Sequence, residues 1–93
     1  MKIRWLKKAL RNLEQTHEYI SRDNPEAGAR IVTRIQNAAS QLADYPLMGR
    51  VGRVEGTREL VISQTPYILI YRVKGNAVEI LRVIHSAMRY PDR

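Results

Sequence analysis

The sequence of 93 residues contains no cysteine. This absence excludes disulfide bonds, thiolate metal sites and a thiol nucleophile, and it is typical of proteins from a reducing cytoplasm. The sequence also lacks any run approaching the roughly 18 apolar residues that cross a membrane. Residues 1–8 (MKIRWLKK) lack the long apolar segment of a signal peptide. We therefore predict a cytoplasmic protein.

Several enzyme and metal-site motifs are missing as well. We find no glycine-rich phosphate loop, no G-x-S-x-G elbow and no paired carboxylates that differ from ordinary helix charges. Residues 49–53 (GRVGR) hold two glycines without a following helix pattern, so we predict a loop there. His17 has no second ligand at metal-binding spacing, and we expect a half-buried structural residue. We predict neither a metal nor another cofactor.

Positive charge is what the sequence has in excess. Lys and Arg number 16 against 9 Asp and Glu, which gives a net charge of +7. The hydrophobic fraction of 44% is ordinary for a globular protein, so the charge does not indicate a disordered tail. A chain of this length forms one domain, residues 1–93. The charge predicts attraction to nucleic acid, an acidic membrane surface or an acidic protein.

The first half of the sequence predicts two helices with a very short connection. Asn24 followed by Pro25 is typical of a helix start, because Asn caps free N–H groups and Pro fits the first helical position. The short connection makes the helices antiparallel, with their apolar stripes facing each other. Tyr45-Pro46 ends the second helix. The predicted stripes are Leu6, Leu10, Leu13, His17 and Ile20, and Ala27, Ile31, Ile35, Ala38 and Leu42.

The last third predicts three β-rich strands joined by tight turns, and residues 2–5 predict a short opening strand. Two-residue turns at Gly75-Asn76 and Gln64-Thr65 fix a register. We thus predict an α+β fold, with a helical hairpin packed on a three- to four-stranded antiparallel sheet. The predicted pairs are Arg72 with Glu79, Tyr71 with Ile80, Leu69 with Arg82, Arg58 with Tyr71, and Leu60 with Leu69.

The same register predicts apolar residues on both faces of the sheet. Both faces of such a sheet must be shielded from water, and the helical hairpin can shield only one of them. The second face would then be an exposed apolar surface, which indicates a protein partner or a homodimer. The apolar residues predicted on this face are Val61, Ile68, Ile70, Leu81 and Val83.

His85 and Arg89 lie four positions apart in the sequence, at the end of the last predicted strand. A histidine there could act as general acid or base in RNA cleavage, with arginine stabilising phosphate charge. The alternative is a histidine packed on the sheet and an arginine on the surface. Both interpretations stay open.

Basic and aromatic residues alternate along the predicted strands. Arg58, Arg72 and Arg82 with Tyr67 and Tyr71 have the composition of nucleic-acid-binding surfaces. The alternative is a structural role, in which arginines form ion pairs such as Arg72 with Glu79 and the tyrosines lie in the core. The sequence leaves this choice open too.

The order and spacing of these segments resemble the RelE/ParE toxins of bacterial toxin–antitoxin modules. The resemblance covers nearly the whole chain. It implies a toxin held inactive by an acidic or partly disordered antitoxin, whose C-terminal segment would wrap around it. The segments that carry the resemblance are Asn24-Pro25, PLMGR (46–50), GTREL (56–60), PYILIYRV (66–73) and VIHSAMRYP (83–91).

Within that superfamily, RelE-like members cleave messenger RNA in the ribosome, whereas ParE-like members poison DNA gyrase without cutting nucleic acid. Where RelE-like nucleases present cations to RNA, this sequence has Glu59, Val61 and Ile68, and Met88 stands near another such position. The loss of these cations favours the ParE-like function. The alternative is a RelE-like mRNA endonuclease using His85 and Arg89. A third interpretation is a non-catalytic nucleic-acid-binding module.

The resemblance also implies where partners bind. We expect the antitoxin to cover the second sheet face, with its acidic residues paired to Arg58, Arg72 and Arg82. The C-terminal residues 84–93 are expected to contribute to toxicity through His85, Arg89 and Tyr90. The apolar antitoxin contacts predicted here are Val61, Ile68, Ile70, Leu81 and Val83.

Overall fold

The computed structural model describes residues 1–88, 90 and 91. A helical hairpin lies between an opening strand and a β-meander, so the predicted α+β fold is confirmed. The elements are β1 (Lys2–Trp5), α1 (Lys7–Ser21), α2 (Pro25–Gln41), β2 (Arg50–Val51), β3 (Arg58–Val61), β4 (Tyr67–Lys74) and β5 (Ala77–His85).

The start of α2 forms as the sequence predicts. The Asn24 Oδ1 atom accepts a hydrogen bond from the Ala27 N–H at 3.1 Å, and Pro25 is the first helical residue. One turn on, a Cβ atom on Gly28 would lie 3.2 Å from the His17 carbonyl oxygen and would also meet the Ser21 hydroxyl. Glycine therefore allows α2 to pack closely against the end of α1.

The buried stripe of α1 differs from the predicted one. Ala9, Leu13 and Thr16 face the interior, whereas Leu10 is 49% exposed and His17 is exposed. The prediction of a half-buried His17 was wrong. The small side chains of Ala9 and Thr16 let α1 approach the sheet, and this rotates the larger Leu10 toward solvent.

The sheet has more strands than predicted. Across the described residues, five strands lie in the order β1-β5-β4-β3-β2. β1 runs parallel to β5, with Ile3 opposite Val78, so the prediction of a wholly antiparallel sheet was wrong. β2 forms within the segment predicted as a loop, where Arg50 pairs with Glu59. A Gly52 N–H bond to the Thr57 carbonyl, at 2.8 Å, closes the connection to β3.

The predicted register is confirmed for four pairs and wrong for one. Leu69 lies opposite Val83 and not opposite Arg82. The cause is a β-bulge, because Tyr71 pairs with Ile80 whereas the preceding residue on β4, Ile70, pairs with Arg82, which leaves Leu81 as an extra residue. Confirmed are Arg72 with Glu79, Tyr71 with Ile80, Arg58 with Tyr71, and Leu60 with Leu69.

Because of the bulge, each side chain of β5 after Leu81 lies on the face opposite to the one that we predicted. Val83, predicted on the open face, is 4% exposed and belongs to the core between helices and sheet. Tyr67, Leu69 and Tyr71 of β4 line the same core. The other core residues come from the helices and the residue after α2 (Ala9, Leu13, Ile35, Ala39 and Leu42), and from β5 and the residue after β3 (Val78, Ile80 and Ile62).

The sheet face opposite the helices is not the broad exposed apolar surface that we predicted. Ile70 is 0% exposed and Ile84 is 4% exposed, although both lie outside the helix-side core. Ile70 lies between Glu59 and Arg82 in the ladder, and the segment after β5 lies beside Ile84. Long polar side chains and the chain's own C-terminal segment thus supply much of the second cover.

Asn12 of α1 covers the outer edge of β5 beyond the end of β1. Its Oδ1 atom accepts hydrogen bonds from the Val83 N–H at 3.1 Å and from Arg82 Nε at 2.7 Å. A side chain therefore satisfies a backbone group that would otherwise be open to another strand. The sequence pattern gave no sign of this role.

No helix in the described part of the chain is long and apolar enough to span a membrane.

Replacing Asn12 tests the cover over β5. Asn12→Ala leaves the Val83 N–H and the Arg82 Nε without this acceptor, so we expect a loss of about 1–3 kcal/mol in the free energy of unfolding. Chemical denaturation measures the change. Gln15→Ala, on an exposed position of the same helix, should change stability by less than about 0.5 kcal/mol. Equal effects of the two variants would contradict the role given to Asn12.

Candidate functional site

A shallow depression lies on the sheet face opposite the helices. β2, β3, β4, the end of β5 and the following segment all contribute to it. Its floor is apolar, and its rim holds guanidinium, carboxylate and hydroxyl groups. The lining residues are Arg50, Val51, Arg53, Glu59, Ile68, Ile84, Ser86, Met88 and Tyr90.

Glu59 sets the electrostatics of this depression. Its Oε1 atom accepts hydrogen bonds from Arg50 Nη2 at 3.0 Å and Nε at 3.2 Å, and its Oε2 atom accepts one from the Arg53 N–H at 3.4 Å. The Glu59 side chain is only 11% exposed, whereas that of Arg50 is 61% exposed. A fixed carboxylate therefore neutralises one of the two arginines on the rim.

The arginines predicted to form a basic surface do not converge. Arg58 donates to the Gly49 carbonyl at 2.8 Å, and Arg72 Nε donates to the Glu79 carboxylate at 2.6 Å. Arg82 is 6% exposed and bonds Asn12. Of the structural alternative, the ion pair of Arg72 with Glu79 and the core position of the tyrosines are confirmed, since Tyr67 and Tyr71 are 8% and 0% exposed.

His85 lies away from the depression, on the side of the sheet that faces α1. Its Nδ1 atom accepts a hydrogen bond from the Ala87 N–H at 3.0 Å, and its ring packs edge-on against Tyr67 with 5.5 Å between centroids. It lines a cleft together with Gln15 and Tyr19. Arg89, its predicted partner, lies outside the described residues, so the pair stays a prediction.

Tyr71 holds the loop between α2 and β2, a role that the sequence pattern did not predict. The phenolic hydroxyl of Tyr71 donates to the Pro46 carbonyl at 2.8 Å and accepts from the Gly49 N–H at 2.9 Å. A Cβ atom on Gly49 would lie 2.8 Å from that hydroxyl. Pro46 and Gly49 were visible signals of a tight loop, but their partner in β4 was not.

This loop exposes an apolar knuckle, which we define as residues 45–48 (YPLM). Tyr45 and Leu47 are each 65% exposed and Met48 is 44% exposed. Arg58 also donates to the Gly49 carbonyl and so fixes the end of the loop. Exposed apolar side chains on a loop whose backbone is already held are typical of protein-binding surfaces, because less backbone entropy is lost on binding.

The apolar residues predicted to contact an antitoxin differ in their exposure to solvent. Val61 is 55% exposed, and Ile68 and Leu81 are half-buried. Ile70 is fully buried, and Val83 lies in the helix-side core because of the bulge at Leu81. As surface contacts, Ile70 and Val83 were therefore wrong predictions.

Residues 3–90 match the family described as the ParE toxin of the type II toxin–antitoxin system parDE. The chain belongs to the ParE toxin family. It is thus a type II toxin of the RelE/ParE superfamily, as the resemblance implied, and family membership implies a cognate antitoxin.

Similar proteins include toxins named for both branches of the RelE/ParE superfamily. Y4kP, named as a toxin of Sinorhizobium fredii, is 48% identical over 91 residues, which cover 98% of this chain and 94% of the relative. Toxin RelE2 of Caulobacter vibrioides is 37% identical, covering 89% and 92%. A solved structure titled as the chromosomal ParDE system of P. aeruginosa matches with a TM-score of 0.82 and 28% identity, covering 91% of this chain and 95% of that one.

Removing one hydroxyl tests how the knuckle is held. Tyr71→Phe leaves the buried Gly49 N–H without its acceptor, so we expect unfolding to become easier by about 1–3 kcal/mol. Tyr45→Phe, at an exposed position, should lower the free energy of unfolding by less than about 0.5 kcal/mol. Thermal and chemical unfolding measure both variants. A Tyr71→Phe protein as stable as the Tyr45→Phe control would show that the hydroxyl does not anchor the loop.

The pair of Arg72 and Glu79 predicts a pH dependence. The hydrogen bond from Arg72 holds the pKa of the Glu79 carboxyl below its ordinary value of 4.5. A group whose pKa is lower in the folded state adds stability above its unfolded pKa and loses it as the pH falls through the folded pKa. Glu79→Gln should therefore be less stable than the original protein at neutral pH.

The difference in free energy of unfolding between the original protein and Glu79→Gln should disappear as the solution is acidified below about pH 4.5. Denaturant titrations of both proteins across this range measure it, and Arg72→Gln should show the same convergence. A gap that stays constant down to about pH 2 would contradict the ionic contribution of this pair.

Proposed function

We propose that this ParE-family toxin stops growth by inhibiting DNA gyrase through protein–protein contact, and that its cognate antitoxin neutralises it in the cytoplasm. The observation that supports this most is the Glu59 carboxylate in the depression on the open sheet face. Glu59 neutralises Arg50, so a phosphodiester bound there would meet Arg53 as the one remaining cation among the described lining residues. The loss of one cation weakens RNA binding and the stabilisation of negative charge during cleavage.

The placement of possible catalytic groups also supports a non-nuclease function. RNA cleavage needs an acid or base and cations within hydrogen-bond reach of one phosphate. His85 faces the cleft beside α1, whereas Arg50 and Arg53 line the depression on the other face of the sheet. The thickness of the sheet therefore separates the histidine from these two arginines.

The exposed apolar groups suit a protein target. The knuckle offers Tyr45, Leu47 and Met48 on a loop held by Tyr71. The residues predicted to contribute to toxicity, His85, Arg89 and Tyr90, would extend this contact. Tyr90 is half-buried at the rim of the depression. We expect both regions to contribute to the gyrase contact.

The antitoxin contacts follow from charge and exposure. A net charge of +7 favours an acidic partner. Of the residues proposed for this surface, Val61 and Ile68 are accessible apolar contacts, Leu81 is half-buried, and Arg72 offers a partly exposed guanidinium. Arg58 and Arg82 already bond within the chain, so acidic antitoxin residues would share them with these internal partners.

One observation favours the alternative, a RelE-like mRNA endonuclease. Arg50, Arg53, Ser86 and Tyr90 surround the same depression, and they offer two cations and two hydroxyl groups. Movement of Glu59 away from Arg50 would make this group attractive to phosphate. Under this alternative, Glu59 suppresses RNA binding and its neutral replacement should increase it.

Two parallel assays decide between these functions. The purified toxin is added to gyrase with supercoiled DNA, and separately to ribosomes programmed with a message. We expect gyrase inhibition, seen as lost supercoiling or trapped DNA cleavage, and an intact message. Glu59→Gln and the exposed control Glu55→Gln should both leave the message intact.

Cut message together with normal gyrase activity would overturn the proposed target. Cleavage that appears only with Glu59→Gln would support the latent endonuclease and contradict a purely protein-binding surface. Salt-sensitive binding to arbitrary DNA without growth arrest would instead indicate the third interpretation, a nucleic-acid-binding module.

A further inference from the structure

Two rows of side chains cross β1, β5 and β4 on the sheet face opposite the helices, near the turn between β4 and β5. Each row has a cation on β1 and another on β4. Neighbouring strands lie about 4.8 Å apart and alternate residues of a strand about 7 Å apart, so the backbone positions of the four cations mark a rectangle of about 10 by 7 Å. We define these two rows as the cationic patch: Lys2, Ala77 and Lys74 in one, and Arg4, Glu79 and Arg72 in the other.

The register places the patch on the face opposite the helices. Val78 lies between the two rows in the helix-side core, and its neighbour on β1, Ile3, packs against that core. Because side chains alternate along a strand, the residues before and after these two face the other way. The hydrogen bond from Arg72 lowers the pKa of the Glu79 carboxyl, and the charges of Arg72, Lys74 and Arg4 lower it as well. The cations of both rows therefore lie near one carboxylate.

Positive charge exceeds negative charge in the patch. Among its six residues, four cations and one carboxylate leave a net charge of +3. The Glu79 side chain is only 10% exposed, whereas that of Arg72, which bonds it through Nε, is 42% exposed. Lys2, Arg4 and Lys74 are exposed and form no salt bridge within the described part of the chain. The patch thus presents cations to solvent and keeps its anion beneath them.

The composition of the patch indicates the kind of partner. Its one apolar residue, Ala77, is 7% exposed, so the patch lacks the apolar or aromatic anchor that protein interfaces bury at their centre. None of its six residues has an aromatic ring on which the bases of a single strand could stack. The phosphate backbone of a duplex needs neither an anchor nor a ring, because cations alone bind it.

We propose that the cationic patch binds the phosphate backbone of double-stranded DNA, and that it contacts the DNA held by gyrase while other parts of the toxin contact the enzyme. The inference rests on the proposed gyrase target for the source of the duplex. It gives the toxin a preference for gyrase that already holds DNA. Arg72 is also among the residues proposed to contact the antitoxin, so the antitoxin would compete with DNA for it.

Neutralising two cations tests the patch. Arg4→Gln combined with Lys74→Gln removes two positive charges and keeps the ion pair of Arg72. The control combines Lys8→Gln with Arg30→Gln, which removes the same charge from exposed positions on the two helices. We expect the patch variant to bind a labelled DNA duplex at least about tenfold more weakly than the control. Fluorescence anisotropy measures both affinities, and circular dichroism confirms that each variant is folded.

Salt dependence separates phosphate contacts from a general effect of net charge. Each phosphate contact with duplex DNA contributes about 0.9 to the slope of log affinity against log salt concentration. The slope for the patch variant should therefore be smaller by about 2 than the slope for the original protein. The control should keep the original slope, since its two cations lie on the helices, away from the patch.

Gyrase with and without a bound duplex tests where the contact is used. We expect the original toxin to bind the gyrase–DNA complex at least about tenfold more tightly than gyrase alone. The patch variant should lose this preference and bind gyrase alone with the original affinity. The control should behave as the original toxin does in both titrations.

The outcomes separate this inference from the proposed function. Gyrase inhibition, together with equal DNA affinities and salt slopes for the patch variant and the control, would overturn the inference and leave the proposed function intact. DNA binding through the patch without gyrase inhibition would contradict the proposed target, while the DNA contact would stand. Tighter binding to an RNA duplex than to DNA would overturn the inference. So would a patch variant that loses affinity only for the antitoxin, because the occupant would then be an acidic polypeptide.

Discussion

The extra residue at Leu81 is the constraint on which both faces of the sheet depend. Before the bulge, Tyr71 and Ile80 form a cross-strand pair beneath the helices. After the bulge, the side chains of β5 alternate between the two faces in the opposite sense. Val83 therefore lies in the helix-side core, and Ile84 lies on the opposite face. Without the bulge, an arginine would replace Val83 beneath α1. Moving that charge into the apolar core would cost several kcal/mol.

The two edges of the sheet are covered to different extents. At one edge, the bulge brings Arg82 and the Val83 N–H to Asn12, which covers β5 beyond the end of β1. At the other edge, β2 covers β3 only as far as Glu59. The knuckle held by Tyr71 lies beside this edge, since Met48 and Val61 line the same groove.

Much of the fold could be predicted because its signals are local. Asn24-Pro25 marks the start of α2, and Gly75-Asn76 fixes the turn that places Arg72 opposite Glu79. The bulge could not be predicted, because Leu81 and Val83 are both apolar and fit either face. The shift of the α1 stripe toward Ala9 and Thr16 depends on how closely the helix approaches the sheet, which the periodicity of the sequence does not encode.

The candidate site was predicted less completely, because its contacts join segments that are distant in sequence. Glu59 was identified as an anion where a ribonuclease of this superfamily presents a cation, but its bonds to Arg50 and Arg53 depend on the short strand β2, which the sequence presented as a loop. Asn12 and Tyr71 act on segments far away in sequence. Their contacts, across 71 and 25 residues respectively, leave no periodic pattern.

The most direct test of this account is the cross-strand contact made by the Leu69 Hα proton in a nuclear Overhauser experiment on the purified toxin. Residues opposite each other in a non-hydrogen-bonded antiparallel pair have Cα atoms about 4.5 Å apart, which brings their Hα protons into close contact. The bulged register predicts a strong Hα–Hα signal between Leu69 and Val83, and another between Tyr67 and His85. Strong signals from Leu69 to Arg82 and from Tyr67 to Ile84 would contradict it, because they require a continuous ladder without the extra residue.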